Sequence, residues 1–551
     1  MKKVPVIDVF AGAGGLGEGF SPASGETTSP FDVCLSIEMD DSAVDTLKLR
    51  AFFRHSCKKA RDDYYRFLAG KLSLDELYER NPETADRAGD EVYHIELGGE
   101  DFNEKELNAR TSKAIGDADK WVLVGGPPCQ AYSSIGRARN AGIRDYSAAD
   151  DHRHFLYEEY LRIIASHWPS VFVMENVPGI LSSRAGGTSR IFGKILDDLS
   201  DPASVFPQKV GPSGDTFNYR IVPLYRKQQA ITDLFGTTGN PADYLVQSER
   251  HGVPQSRRRV ILLGIRDDID PEVFEGLEPS DDDPVPVSAV LEGMPRLRSG
   301  LVTKDADAAS AWLNAVASAL DSEWLEELAS LGQENVASEI KSVIAKLKIP
   351  KLGQGGNFVK YTQRGIQLKD RHPALHSWIA DERMSTVCNS ETRDHMESDL
   401  HRYLYVSAYG KANKVSPRLR HFPKGLLPDH DNVRRALHRG DFQDRFRVQL
   451  KHQPSTTVVS HLGRDGHYFI HYDPSQVRSI TVREAARLQT FPDNFFFCGN
   501  RGAQYKQVGN AVPPLLAKKI ADIVWKLLRD EPQRKKGVLS NSQTFLREIA
   551  L

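Results

Sequence analysis

The segment WVLVGGPPCQAYSS (Trp121 to Ser134) sets Cys129 directly behind two glycines and two prolines at the end of an apolar run. A cysteine kept for packing sits inside such a run. This one sits where the backbone has left it, on a stretch stiffened by Pro127 and Pro128, whose φ is fixed. That arrangement holds a sulfur at the mouth of a site. A thiol of ordinary pKa, ~8.5, is mostly protonated at neutral pH, so Cys129 needs a positive surrounding or a proton acceptor. Its targets are electrophilic carbons, an acyl carbon or C6 of a pyrimidine. Acyl transfer would want a histidine base, and none lies near Cys129 in the sequence.

Two further stretches carry reactive groups. The apolar run VFVMENVPGI stops at Glu175-Asn176, which puts a carboxylate at the end of a buried strand. In HGVPQSRRRVILLG, Gln255, Arg257 and Arg259 alternate into a strand, so their side chains share a face. Pyrimidine chemistry uses this set. Cytosine C5 is too electron-poor to attack a methyl donor unaided, but a thiolate added at C6, with an acid supporting N3, turns the ring into an enamine. Glu175 can supply that proton if its apolar strand raises its pKa. Arg257 or Arg259 can hold O2 and the neighbouring phosphate.

A nucleoside site is written at the N-terminus. VPVIDVFAGAGGLGEGF is a strand, then Gly12-x-Gly14-x-x-Gly17, then a helical start; the next strand ends in SIEMD, where Glu38 can accept both ribose hydroxyls. This fits NAD as well as other nucleosides, or a tight turn with a surface glutamate. Phe10, immediately before the loop, can cover an adenine or sulfonium face and tilts the reading towards S-adenosylmethionine.

The elements that must position these groups follow from patterning. Short β-branched runs at Val4–Phe10, Val33–Ile37, Trp121–Val124, Val171–Met174 and Val260–Leu263 alternate with helical stretches such as Leu156–Trp168. Continuous apolar strands between helices predict a mostly parallel sheet covered on both faces. At 551 residues two or three domains are expected. After Gly264 an acidic, proline-rich stretch reads as a linker, and the strand–helix rhythm is lost over about 285–475. It returns in TVREAARLQTFPDNF and in QVGNAVPPLLAKKIADIVWKLL, where Leu515, Leu516, Ile520, Ile523, Val524, Leu527 and Leu528 lie on one helical face. The charged stretch 49–90 reads as a solvated helical excursion without chemistry.

Composition bounds the rest. Five cysteines (34, 57, 129, 388 and 498) without a CxxC pair indicate neither a disulfide framework nor structural zinc, and point to a reducing cytoplasm. No apolar stretch is long enough for a membrane span, and the strand beginning at once leaves no room for a signal peptide. A net charge of −2 requires any polyanion to meet a local basic face. Residues 402–451 hold twelve Lys/Arg and four Asp/Glu, 12 − 4 = +8, including KANKVSPRLRHFPKG with Lys411, Lys414, Arg418, Arg420 and Lys424. Such loops suit phosphate contact and guanine edges; a solvated helical face is the bland alternative. QPSTTVVSHLGRDGHYFIHYDP reads as paired strands around Gly463–Gly466. His152 and His154 at a helix start read as solvated polarity rather than a metal site.

Taken together these stretches resemble the C5-cytosine-specific DNA methyltransferases. DVFAGAGGLGEGF resembles the family's first motif, GGPPCQAYSS its nucleophile loop, MENVPGI its glutamate motif, and GVPQSRRRVILLG its glutamine–arginine–arginine motif. ITVREAARLQTFPD and QVGNAVPP resemble the last two, all in the family's order over about 1–265 and 475–530. The resemblance implies an α/β, Rossmann-like S-adenosylmethionine-dependent core with an inserted target-recognition domain. The implied boundaries are 1–268 for the core, 269–475 for recognition, 476–530 for the return to the core, and 531–551 for a peripheral tail.

It implies Cys129 as covalent nucleophile, Glu175 acting on N3, and Gln255, Arg257 and Arg259 orienting the base and its backbone. For the cofactor it implies Phe10, Gly12, Gly14, Gly15, Glu38, Met39, Asp101, Phe102, Gly126, Pro128, Leu156, Asn510 and Val512. At His251 the family more often has an aromatic residue. The implied partner is double-stranded DNA, with no metal and no membrane. The resemblance further implies a monomer in action, working in the cytoplasm at the nucleoid and paired with a restriction endonuclease. An RNA (tRNA) cytosine-C5 methyltransferase, an NAD-dependent oxidoreductase and a catalytically dead DNA-binding module are the competing readings. The oxidoreductase leaves Cys129, Glu175 and the arginine pair idle, and the long insertion favours duplex DNA over RNA.

Overall fold

A computed structural model describes residues 2–21, 29–128, 156–182, 184–185, 189–209, 215–225, 240–270, 274–280, 283–302, 308–347, 352–360, 366–429, 433 and 443–529. Its centre is an eight-stranded sheet made of β1 (Val4–Val9), β2 (Phe31–Glu38), β3 (Val92–His94), β4 (Val122–Gly125), β5 (Val171–Asn176), β6 (Tyr219–Pro223), β7 (Leu245–Gln247) and β9 (Arg258–Arg266). The two-residue strand β8 (Gln255–Ser256) lies outside it. The order is β3-β2-β1-β4-β5-β9-β6, with β7 also on β9. Strands β1 to β5 pair in parallel, and β9 runs antiparallel to β5, β6 and β7. The fold is the α/β, mostly parallel architecture that the runs of β-branched residues predicted.

Those runs are continuous because both faces are covered. Val6, Val33, Val122, Val124, Val171 and Val173 point into one cluster with Leu16, Phe20, Leu516, Ile520, Val524 and Leu527. Their neighbours Ile7, Val9, Leu35, Leu123 and Phe172 point into the other, with Leu161, Ile164, Phe192 and Ile195. Alternate residues thus go to opposite sides, and neither side meets water.

Helix α1 (Gly15–Phe20) follows the glycine loop, and α2 (Asp41–His55) follows β2. The last described helix, α14 (Pro514–Arg529), lays its apolar stripe on α1. It packs so closely that a Cβ on Gly19 would lie 2.4 Å from Ala517. Because β4 and β2 flank β1 on opposite sides, the chain order reverses at β1. Such a switch point opens a crevice at the strands' C-terminal ends.

Two expectations are corrected. The stretch 49–90 is no solvated excursion: α2 continues into it, and α3 (Lys58–Leu68), α4 (Leu74–Arg80) and α5 (Pro82–Glu91) follow. Phe52, Phe53, Tyr64, Phe67, Leu68 and Leu77 are buried with Met384, Cys388 and Cys498. Charge on the outer faces of short helices masked an apolar inner face. Nor are there paired strands over 453–474: Ser455–Thr456 forms the two-residue β10, which pairs with β8, not with a neighbour around Gly463. A 3-10 turn, Ser460–Gly463, and turns follow. The apolar residues there serve buried contacts at Val458, Leu462 and Phe469 rather than a hairpin face.

Within 285–475 the described structure is mainly helical. Helices α8 (Ala308–Ala317), α9 (Glu323–Ser330), α10 (Glu334–Lys346) and α11 (Glu397–Asn413) share a core of Trp312, Trp324, Ile340, Leu400, Tyr403 and Leu404. A second cluster joins Val287–Leu291 to the segment after 475, where α12 (Val482–Leu488) and α13 (Arg501–Asn510) lie. The peripheral tail expected at 531–551 lies outside the described residues.

Candidate active site

At the end of β1 the backbone takes left-handed conformations at Phe10 (φ +54°), Gly12 (+57°) and Gly14 (+80°). Glycine adopts these without cost, whereas a phenylalanine there is strained. The turn is fixed by Ala11 N donating to Ile37 O (3.1 Å) and Gly14 N to Ala11 O (2.8 Å). Two glycines serve different ends. A Cβ on Gly12 would meet nothing within 4 Å, so open space lies beside it; on Gly15 it would lie 2.4 Å from the Val512 carbonyl. Glu38, ending β2, is aimed by two backbone donors, Gly12 N to Oε2 (2.8 Å) and Asp40 N to Oε1 (2.9 Å). Each oxygen keeps a lone pair for a further donor such as a ribose hydroxyl.

Beneath the loop, Asp8 is 1% exposed and accepts from Gly17 N at 3.0 Å. Its other oxygen has no partner among the described residues, and burial pushes its carboxyl up to about 7.

One strand over, β4 ends in Gly125 and leads through Gly126, Pro127 and Pro128 towards Cys129. Cys129 itself lies outside the described residues, as do His152 and His154. Glu175 on β5 stands beside this segment: a Cβ on Gly126 would be 3.0 Å from Glu175 Oε2. The carboxylate pairs with Arg259 Nε at 2.5 Å, both side chains largely buried. Asn176 ties the two strands' ends, donating to Pro127 O (3.4 Å) and accepting from Val177 N (2.8 Å). The loop that carries the cysteine is thereby anchored to the strand that carries the carboxylate.

Gln255, Arg257 and Arg259 do share a face, but their surroundings divide them. Arg257 is wholly buried, donating to the carbonyls of Val458 (2.8 Å) and Gly509 (3.3 Å). Burial and the nearby Arg259 press its guanidinium well below its ordinary range, against the pull of Glu175. Gln255, also fully buried, donates to Leu488 O and Gln489 Oε1 (2.9 Å) and accepts from Val458 N (2.7 Å). Gln255 and Arg257 thus hold interior carbonyls, a backbone N–H and the Gln489 side chain, and Arg259 alone of the three faces the carboxylate. Gln489 escaped the sequence reading. It is fully buried and donates on to Val508 O (2.8 Å) and Ala511 O, although the RLQTFPD stretch around it resembles a family motif.

This geometry coincides with a family match. The sequence profile described as C-5 cytosine-specific DNA methylase matches residues 85–202 and 239–526. The chain belongs to this family. Among its relatives, the type II methyltransferase M.Bpa9945I of Bacillus paralicheniformis is 29% identical over 542 residues, covering 94% of this chain and 98% of that one. M.AgeI, a type II methyltransferase of Thalassovita gelatinovora, is 26% identical over 537 residues, 94% and 98% of the two chains. The DNA (cytosine-5-)-methyltransferase M.ApeKI of Aeropyrum pernix is 29% identical over 441 residues, 75% and 82%. The enzyme class read from the residues, a DNA (cytosine-5-)-methyltransferase, is thus the one this chain belongs to.

In this methylase the remaining cofactor candidates differ in exposure and in the element that carries them. Met39 is 57% exposed, following Glu38. Leu156 opens α6 (Leu156–His167), and Asn510 closes α13, exposed, just before buried Val512. Phe102 is half-buried against the sheet's core, while Asp101 is exposed in the turn well beyond β3, which ends at His94. Three other cysteines are unsuited to attack: burial pushes Cys34, Cys388 and Cys498 up to about 12, 11 and 12. His251 is buried as well. Its Nδ1 lies 3.1 Å from the Glu278 carbonyl and so donates, leaving Nε2 to accept from Tyr225 OH at 2.7 Å.

The basic stretch is exposed at all five positions named from the sequence, but not equally available. Lys411, in the last turn of α11, pairs with Glu339 at 2.6 Å. Lys414 turns back to the Lys411 carbonyl at 3.0 Å. Arg418, Arg420 and Lys424 lie on the short 3-10 strap that follows. Among the described residues no group of His, Cys, Asp and Glu could hold a metal, and no helix is long and apolar enough to cross a membrane.

Proposed function

We propose that the methylase transfers a methyl group from S-adenosylmethionine to C5 of a cytosine swung out of duplex DNA. The reading is carried by one juxtaposition: the Glu175–Arg259 pair beside Gly126 shares a sheet edge with the glycine loop and Glu38. Open space at Gly12 and the two fixed oxygens of Glu38 fit a nucleoside, with Phe10, Gly14, Gly15, Met39, Asp101, Phe102, Gly126, Pro128, Leu156, Asn510 and Val512 around it. When bound, S-adenosylmethionine supplies an electrophilic methyl carbon on a sulfonium.

The chain's own residues prepare the base. Cys129 Sγ, as thiolate, forms a bond to C6, and the electron pair displaced from the C5–C6 double bond runs to N3, where Glu175 acts as the proton partner. Arg259 holds the Glu175 carboxylate and reaches O2. C5 then takes the methyl group, S-adenosylhomocysteine departing with the electron pair of the broken S–C bond, and the N3 proton returns to Glu175. Loss of the C5 proton to a base and departure of the Cys129 thiolate restore the ring. Residues 1–268 and 476–530 form the catalytic unit in this reading, and 269–475 recognises duplex DNA through a surface that includes Lys411, Lys414, Arg418, Arg420 and Lys424. The product is a methylated site protected from a restriction endonuclease, in the cytoplasm at the nucleoid.

Bisulfite sequencing of plasmid DNA from cells expressing the methylase tests the whole reading, giving the base and its sequence context. Cys129→Ala should leave no methylated cytosine, a fall of at least about 10⁴-fold. S-adenosylhomocysteine affinity should stay within about twofold of wild type. Methylation by that variant, or methyl transfer to tRNA in place of duplex DNA, would overturn it.

A further inference from the structure

The helices between α2 and β3 carry no reactive group, yet they are anchored at their far side. Phe67 packs edge-on against Phe358 and Phe496, at 5.8 and 5.0 Å between ring centres. The carbonyl of Leu68, at the end of α3, accepts from Thr386 Oγ1 and from Cys388 Sγ. On the rim, Arg383 pairs with Asp62 at 2.6 Å and lies 3.9 Å over the Tyr65 ring, while Tyr65 OH donates to Asp381. Asp381 also accepts from Asn494 at 2.6 Å, and Asn494 accepts from Arg50 at 3.0 Å. Arg50 ends on Glu18, inside the helix of the glycine loop, at 2.8 Å. A continuous series of contacts therefore runs from the helix of the glycine loop, through α2 and Asn494, to Asp381, where Tyr65 of α3 joins it.

Those residues lead, through the buried turn at Asn389–Arg393, into α11 and the basic strap beyond it. We propose that α3 is a brace for the DNA-recognition segment, with Asp62, Tyr65, Asp381 and Arg383 as its positioning residues. A brace of this kind sets where the basic strap stands relative to the catalytic edge before DNA arrives. Ordering that is already present is not lost again on binding, so its removal weakens DNA binding without touching the chemistry. The inference rests on the proposed DNA-methylating function.

The test is steady-state methylation of unmethylated plasmid DNA, with S-adenosylhomocysteine binding measured in parallel. The double variant Tyr65→Ala, Arg383→Ala should raise the KM for DNA about three- to tenfold, as loss of an exposed ion pair and a cation–π contact implies. Its kcat at saturating DNA and its S-adenosylhomocysteine Kd should match wild type. The exchanged pair Asp62→Arg, Arg383→Asp should recover part of the KM. A KM for DNA unchanged in both variants overturns the brace, as does a loss confined to kcat or to cofactor binding. Should the double variant fold poorly, Arg383→Gln alone, at a site 45% exposed on a pair 57% exposed at Asp62, makes the same comparison. A wild-type chain that methylates no DNA would fail the function itself, which separates the two failures.

Discussion

The sheet edge proposed as catalytic and the mainly helical segment proposed to recognise DNA are built by different rules. At the edge, each residue type is demanded twice, once by the backbone and once by the chemistry. Gly12 needs a left-handed φ and open space; Gly15 needs room for the Val512 carbonyl; Glu38 must reach Gly12 N and Asp40 N together. In the helical segment, burial of Trp312, Trp324, Tyr403 and Leu404 fixes a scaffold, but its exposed cations could exchange places at little cost to the fold. Change at the edge should therefore be felt in chemistry or folding outright. Change on the helical surface should be graded.

Glu175→Gln gives the largest expected effect after the nucleophile itself. The amide keeps the shape beside Gly126 but cannot exchange a proton with N3, so single-turnover methyl transfer should slow by about 10²–10⁴. S-adenosylhomocysteine binding should be retained. A wild-type rate would remove Glu175 from the mechanism.

The two arginines divide the edge further. Arg257→Met removes donors from two buried carbonyls, at roughly 1–3 kcal/mol for each group left unsatisfied, so the protein should lose stability by denaturant titration. Arg259→Met leaves a largely buried carboxylate unpaired and should also cost stability, but unlike Arg257→Met it should slow methyl transfer as Glu175→Gln does, because its partner is the carboxylate rather than the core. Adding Glu175→Gln should relieve the stability lost with Arg259 and not that lost with Arg257; equal relief in both would show that the two arginines share one duty.

What could be read in advance follows the same division. Strand runs, the glycine loop, Glu38, Glu175 and the arginine face were legible because period-two burial and a demanded residue type leave marks in the chain. The inner face of α3 was not, since Tyr64, Phe67 and Leu68 are spaced among six charges in KKARDDYYRFL and their partners lie more than three hundred residues away. The separate duties of Arg257 and Arg259 were equally hidden: alternation gives the face, but only tertiary packing decides which guanidinium meets carbonyls and which meets a carboxylate. Over 453–474 the glycines at 463 and 466 suggested paired strands, but Val458, Leu462 and Phe469 are buried together in one tertiary cluster that the local sequence does not mark.

A smaller effect belongs to Asp8. Its folded carboxyl titrates near 7 against an ordinary 3.8, so the folded state holds this proton more tightly than the unfolded chain does. That contribution to stability is fully present below about 4 and is lost as pH rises to about 7, with no further change above. Asp8→Asn keeps an acceptor for Gly17 N and carries no charge, and should flatten the decline in thermal stability between pH 5 and 8. Parallel profiles for wild type and variant would mean that Asp8 keeps one protonation state across that range.

The basic strap should show the smallest and most graded response, and its salt dependence sharpens the contrast best. Arg418 and Arg420 lie exposed on the strap, whereas Lys411 is engaged with Glu339. Each phosphate contact that is lost lowers the slope of log K against log salt by about 1 and weakens binding alike across sequences. Arg418→Ala with Arg420→Ala should therefore reduce the slope by up to about 2, leaving kcat at saturating DNA intact. Lys411→Ala should change it little, since the lysine would have to leave Glu339 before meeting a phosphate. If instead Lys411→Ala moves the slope and the arginine pair does not, the DNA lies along α11 rather than on the strap. The cations of this segment would then be as strictly placed as the groups of the catalytic edge, and the contrast between the two regions would fail where it was expected to be widest.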